Sequence, residues 1–435
     1  MTHDVIVVGA GTAGAAAALF CARAGLKVLC LESHPLHEAG ARWVNDVPGW
    51  VFGLIGLERP KGEELLGDDV RFHLVGGMGP ERVVLSGHGV LGVDMRLLVN
   101  RLQTEAEAAG AELRGGVKVL SFDGQSLQTS LGELRATTFV DASGLRGVNL
   151  MGYPTVPPRQ LCSAAQQVRQ VHDVQAARAY FERYETPPGE TLCFTGIAGG
   201  YSILNLRLEG DRISVLTGSI PAQGHAPGLG ITQRFVRENE WVGDVIFGGS
   251  RAIPLTRPAS CVGRGNVAAL GDAAGQVHTA HGSGIGQGLI AARLLADALA
   301  SGGGAAAYNL NWQRRFAGML ASSEVFCRFS QTLSADDARQ LIGSGLMGEG
   351  VSREVLSQRP VLNAGADLAR SALHMLLQPT LARRLLPTLA RMGLVEAHYL
   401  RYPKDPSKLA AWEKRLDWLS GYEASSSNSA ESATS

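Results

Sequence analysis

The 435-residue sequence predicts an α/β fold: a parallel-sheet domain built from the two ends of the first 300 residues, an antiparallel sheet inserted into it, and a helical C-terminal region. Three observations predict it. Two short, largely apolar runs, Val5–Val8 and Asn266–Leu270, each lead into a glycine-rich turn and then a helix, as strands buried on both faces do. Between them lie alternating strand-like runs with tight-turn dipeptides. After Gly302–Gly304, Tyr308 to about Trp418 reads as helices.

Taken in order, Val5–Val8 is the first strand, Gly9–Gly14 a turn, Ala15–Ala24 an alanine-rich helix and Lys27–Leu31 a second strand, together a βαβ unit. The pattern is then irregular until Asp94–Gly110, whose helical spacing ends in a glycine stop. Short runs with turns at Asp123-Gly124 and Gly132-Glu133 precede the strand Thr137–Gly144. Residues 151–255 hold a helix at Val174–Tyr184 and the strands Tyr201–Leu208 and Arg212–Ile220, joined by Glu209-Gly210. The predicted domains are residues 1–150 with 256–307, the insert 151–255, the helical region 308–421 and a tail, 422–435, too serine-rich to bury a core and expected to be disordered.

Lysine plus arginine equals aspartate plus glutamate, 40 each, so charge gives no reason to expect nucleic acid, and a small molecule is the expected partner. The six cysteines include no C-x-x-C pair, and no basic secretory start precedes the first apolar run, which suits a reducing cytoplasm. That run is broken by glycines and falls short of the roughly 20 apolar residues a membrane span needs. Ala369–Leu394 is apolar with a basic face, giving either a lid over a substrate channel or a peripheral membrane contact.

Gly9-x-Gly11-x-x-Gly14 follows a strand and opens a helix, with Glu32 at the end of the next strand. That is the Rossmann-like dinucleotide fingerprint: tight turn, close backbone approach to a pyrophosphate, helix–strand packing, and an acid for the ribose hydroxyls. Thr12, Ala13 and Ser33 complete the expected contacts. Local spacing does not distinguish FAD from NAD.

A distant segment does. "NVAALGDAAGQVHTAHGSGIGQGLIAARLLADAL" resembles the late flavin-binding motif of the group containing para-hydroxybenzoate hydroxylase-type monooxygenases and geranylgeranyl reductases. "FVDASGLRG" resembles that group's middle turn, "AIPLTRP" its crossing segment, and "YNLNWQRRF" continues the likeness. The resemblance implies an FAD-binding domain with an inserted substrate domain. It assigns the ribityl chain to Asp272 beside Gly271, the middle turn to Asp141 and Gly144, and the flavin pyrimidine to Gly282, Gly284 and Ile285 at a helix start. It also makes Arg42 and Trp43 either contacts of pyrophosphate and flavin or ordinary loop anchors.

The sequence departs from the geranylgeranyl reductases in four places. Ala39–Trp50 stands where they carry a Cys-Gly-Gly loop, "GYSILN" keeps only Tyr201 of their aromatic motif, Met95 takes an arginine position, and "HTAH" replaces the usual segment after Gly-Asp. His278 and His281 thereby become candidate proton donors beside the flavin, or pocket-lining residues; no third ligand is spaced for a metal.

No second fingerprint appears, so electrons are expected from transient NAD(P)H docking, an electron-donor protein or the substrate. The leading expectation is an FAD-dependent oxidoreductase moving a hydride between flavin N5 and a carbon of an apolar or lipid-like molecule. The alternatives are a monooxygenase using a flavin hydroperoxide and a flavin-binding protein without turnover.

Overall fold

In the computed structural model, β1 (His3–Val8) lies parallel to β2 (Val28–Leu31), with α1 (Thr12–Arg23) crossing between them. The structure describes residues 3–360 and 379–422. β2 and the last four residues of β1 are buried, as strands covered on both faces must be. α1 begins at Thr12, earlier than the alanine run suggests, because the fingerprint glycines turn straight into it. Residues 14–22 of α1 are buried, and its small side chains let it lie close to its neighbours.

The parallel sheet continues from β1 to Gly132–Asp141 and Val267–Ala269 on one side, and from β2 to Glu112–Arg114 on the other. Residues 3–31, 132–141 and 267–269, far apart in sequence, therefore end side by side along one sheet edge. Helix Ile285–Ala300 packs on α1. Gly288 allows this, since a Cβ there would already stand 3.2 Å from that of Ala13.

The second sheet runs Val242–Pro254, Leu161–Val171, Arg212–Ser219, Ser202–Glu209, Thr191–Thr195, Phe72–Gly76, Arg82–Leu85. Its last two strands come from before residue 151, from the stretch whose pattern is irregular in sequence, and Phe72–Gly76 pairs in parallel with Thr191–Thr195. Nonlocal pairing of this kind leaves no turn signal between neighbours, so the sequence pattern does not show it. One face of this sheet is covered by Val174–Arg183 and Gly228–Glu238, closing a core around Phe181, Phe194 and Leu206. The same irregular stretch supplies a small third sheet, Val44–Pro48, Val90–Asp94, Leu65–Asp68.

The described C-terminal region is helical: Gly304–Trp312, Gly318–Ser330, Ala335–Gly343, Glu349–Leu356, Pro379–Tyr399 and Leu409–Ser420. Of the amphipathic stretch, residues 369–378 lie outside the described residues. The rest falls in Pro379–Tyr399, which buries Leu381, Leu385, Val395 and Tyr399 and leaves Leu386 and Leu394 half exposed. The serine-rich segment from residue 423 onward also lies outside the described residues. No described helix is long and apolar enough to cross a membrane.

Candidate active site

A cavity of about 1250 Å³ runs along the carboxyl ends of the parallel strands, from the β1–α1 turn to the second sheet. Open α/β sheets bind ligands there because strand ends and helix N-termini present unpaired backbone groups.

At its first end the glycines shape the wall. Gly9 has φ +100°, and a Cβ on it would stand 2.4 Å from the Ala142 carbonyl oxygen. A Cβ on Gly14 would fall 1.8 Å from the Gly9 oxygen. Gly11 caps α1 with no side chain bonded to the first turn and no acid within it, so the helix's positive end is left for an anion. Glu32 is buried. Its Oε2 accepts from the Ala10 N–H at 2.9 Å, and its Oε1 from Ser33 Oγ at 3.0 Å and the His34 N–H at 3.1 Å. Oε2 keeps a second lone pair for a ligand hydroxyl.

At the far end, Gly271 and Gly275 take positive φ around the Gly-Asp turn. Gln276 holds this turn: its Oε1 accepts from the Gly271 N–H at 2.7 Å, and its Nε2 donates to the Tyr308 hydroxyl, which donates to the Ala269 carbonyl. Asp272 lines the cavity. Burial raises its pKa and the Arg251 guanidinium pulls it back down. Helix Ile285–Ala300 opens at Gly284, again uncapped and without an acid in its first turn, so a second positive helix end meets the same cavity.

Two buried donors on the cavity wall, Trp43 Nε1 and Ser283 Oγ, have no hydrogen-bond partner. An orphaned buried donor is costly unless something completes it. The cavity thus offers an anion site, a carboxylate for a ribose, a second carboxylate further along and unpaired donors at the end.

Comparison with known proteins points to the same class of ligand. Residues 4–43 match the FAD binding domain family. Digeranylgeranylglycerophospholipid reductase of Sulfolobus acidocaldarius is 24% identical, over 96% of this chain and 97% of its own length. Digeranylgeranylglycerophospholipid reductase 2 of Methanopyrus kandleri is 24% identical, over 83% of this chain and 98% of its own. A geranylgeranyl bacteriochlorophyll reductase-like structure from Thermoplasma acidophilum superposes with a TM-score of 0.70 at 16% identity, covering 89% of this chain and 99% of that one. Halogenase PltM, solved with phloroglucinol and FAD, reaches 0.61 at 15% identity, covering 96% and 91%.

The chain carries an FAD-binding domain pattern at its start and is similar over almost its whole length to reductases of the geranylgeranyl reductase-like group.

The residues fit FAD. The Gly9–Gly14 turn would take the pyrophosphate, Glu32 the adenosine ribose, Asp272 the ribityl chain, and the Gly284 helix end with Ser283 and Trp43 the ring. Gly9, Gly11, Thr12, Ala13, Glu32, Ser33, Gly144, Gly271, Asp272, Gly282, Gly284 and Ile285 all line the cavity. Gly14 stands one layer behind, packed on Gly9.

Four sequence-predicted residues are placed differently. Arg42 is exposed, and its guanidinium donates to the His37 carbonyl instead of facing the cavity. Asp141 is consumed within its loop, accepting from Ser143 N–H and Oγ and from the Leu150 N–H, and so holds Gly144 in place from behind. His278 and His281 sit behind the cavity wall. The His278 N–H donates to the Ser283 carbonyl, and the His278 carbonyl accepts from the N–H groups of His281 and Gly282. Thr279 anchors this turn to Ser323, through N–H at 3.1 Å and Oγ1 at 3.0 Å. Burial, reinforced by His281, drives the His278 pKa down to about 3, and burial also lowers that of His281.

Sequence reasoning missed Arg251, the cavity-lining Asn45 and the Gln276–Tyr308 support. Arg251 immediately precedes "AIPLTRP", so that segment was the available signal. Asn45 lies in the stretch where family likeness fails.

Proposed function

We propose that this flavoprotein reduces a carbon–carbon double bond in an apolar, lipid-like molecule, adding a hydride to one carbon and a proton to the other. The observation that carries the reading is the cavity's wall at the second sheet, where Leu161, Cys162, Pro221, Ala222 and Ile253 offer apolar surface beside the single charge of Arg251. The similarity of almost the whole chain to lipid reductases supports the same substrate class.

FAD, when bound, supplies a centre that accepts and donates hydride. The chain's own residues do the rest. The apolar wall orients the substrate and excludes water, which strengthens the fixed charges around the reacting atoms. The Gly284 helix end stabilises negative charge at its mouth. His281, one residue behind the cavity-lining Gly282, is the residue we assign to proton supply through that thin part of the wall: its Nδ1 is unpaired, and Asp46 opposes the burial that lowers its pKa. His278 stays neutral and shapes the turn. NAD(P)H docking transiently, or a donor protein, would return electrons.

Anaerobic mixing of the dithionite-reduced protein with an unsaturated isoprenoid glycerophospholipid tests this. Return of the oxidised flavin absorbance together with a saturated lipid product is expected. If the lipid leaves the reduced flavin untouched, while O₂ and an aromatic substrate reoxidise it and give an oxygenated product, the reading fails in favour of a monooxygenase.

A further inference from the structure

We infer that Arg251, on the edge strand of the second sheet, is the cation that binds the central diphosphate of FAD, and so makes the dinucleotide a clasp between the two sheets.

Four observations lead there. First, the arginine expected near the phosphates is turned elsewhere, since Arg42 bonds the His37 carbonyl, and Arg96, next to the Met95 that takes an arginine position, pairs with Asp94 at 2.6 Å and lies over the Phe247 ring at 3.6 Å. Neither lines the cavity. Second, the Arg251 guanidinium does line it, and donates to the Gly40 carbonyl. Third, Gly40 packs on the fingerprint: a Cβ on Gly11 would stand 3.1 Å from the Gly40 Cα. Fourth, Arg251 acts electrostatically on Asp272, which lines the same cavity. The guanidinium thus bonds the Gly40 loop packed on Gly11 and lies within electrostatic reach of Asp272, between the two anchor points a dinucleotide must join with its diphosphate.

The chemistry suits the place. A uniform α1 end supplies partial charge only, whereas a diphosphate carries full charges that a planar guanidinium can meet with two parallel N–H bonds. Arg251 has five N–H donors, so the bond to Gly40 leaves donors for phosphate oxygens. Lys118 also lines the cavity, but beside Val117, whose N–H bonds the Glu32 carbonyl, and Arg146 lines it from the loop after Gly144. Arg251 alone among these three comes from the second sheet. Phe247, four residues earlier on the same strand, is held by Arg96, which fixes the strand where Arg251 leaves it.

The inference rests on the FAD reading of the cavity, and the test separates the two. Apo-protein of the wild type, Arg251→Met and Arg251→Lys would be titrated with FAD, ADP and riboflavin by calorimetry, at low and high salt. For Arg251→Met, a loss of at least tenfold in FAD and ADP affinity is expected, with riboflavin affinity unchanged and the loss shrinking as salt rises. Arg251→Lys should recover part of it, being a cation without the planar fork, which also shows that the Met variant's defect is not misfolding. FAD and ADP affinities within twofold of wild type in Arg251→Met would overturn the inference while leaving the FAD reading intact. An equal loss for riboflavin would overturn it too, since the effect would then not lie at the phosphates. If wild-type apo-protein binds none of the three ligands, the cofactor reading falls and this inference with it.

Discussion

The two ends of the cavity are built in opposite ways. At the fingerprint end the polar side chains already have protein partners: Glu32 holds Ala10, Ser33 and His34, Asp141 holds its loop, and Gln103 donates to the Ala10 and Leu36 carbonyls. At the ring end two do not: the cavity-lining donors Trp43 Nε1 and Ser283 Oγ are buried and unpaired. Since a buried unpaired polar group costs about 1–3 kcal/mol, the first end is preformed and the second is completed by what binds there. Mutations at the first end should therefore remove cofactor and fold together, and mutations at the second should change ring chemistry with the adenosine still held.

The largest break is expected from Gly14→Ala. Its Cβ would overlap the Gly9 oxygen at 1.8 Å, so α1 must leave β1, a cost at or above the roughly 1–3 kcal/mol of ordinary overpacking. Colourless protein with a lowered melting temperature should result. Next is Asp272→Ala, expected to lose most bound flavin with little change in the melting temperature of the apo-protein, because Asp272 caps no element of the fold. Glu32→Gln should weaken FAD by about 1–2 kcal/mol, since one oxygen that accepts becomes an amide that cannot. Wild-type flavin retention in both Gly14→Ala and Glu32→Gln would contradict a preformed adenosine end.

The ring end predicts smaller and different effects. Ser283→Ala removes an unpaired donor, so it should raise the stability of apo-protein slightly and lower that of holo-protein, read as opposite shifts in melting temperature. His278 gives a pH signature. Its folded pKa, about 3, lies below the unfolded value near 6.5, so its contribution is fully present above about pH 6.5 and is lost as pH falls toward 3, by at most about 1.4 kcal/mol per pH unit. His278→Gln should flatten apo-protein stability across that window. His281→Gln should keep the yellow colour while slowing reoxidation by substrate, and the wild-type rate should rise as pH falls, because a lowered pKa leaves few protonated rings at neutrality.

The same contrast explains what was legible in the sequence. The βαβ start, Glu32, the Gly-Asp turn and helix Ile285–Ala300 are local patterns, because each glycine answers to a clash within a few residues or to the ligand. Asp141 looked like a cofactor contact, yet its oxygens point into its own loop; a motif shows that a residue shapes a turn, not which way its side chain faces. Arg251 and the two strands from residues 72–85 were hidden for a different reason. They act by pairing across the fold, and neither spacing nor turn chemistry records such a contact. His278 and His281 stood out as unusual residues after Gly-Asp, and their burial behind the wall is a tertiary fact.

The central claim is that one extended cavity, anchored at Gly9–Gly14 and at Asp272, holds FAD. Flavin analysis of the purified protein tests it most directly. FAD in equimolar amount, present on purification or taken up by apo-protein and absent from Asp272→Ala, is the expected result; wild-type protein that contains no FAD and takes up none would contradict the account.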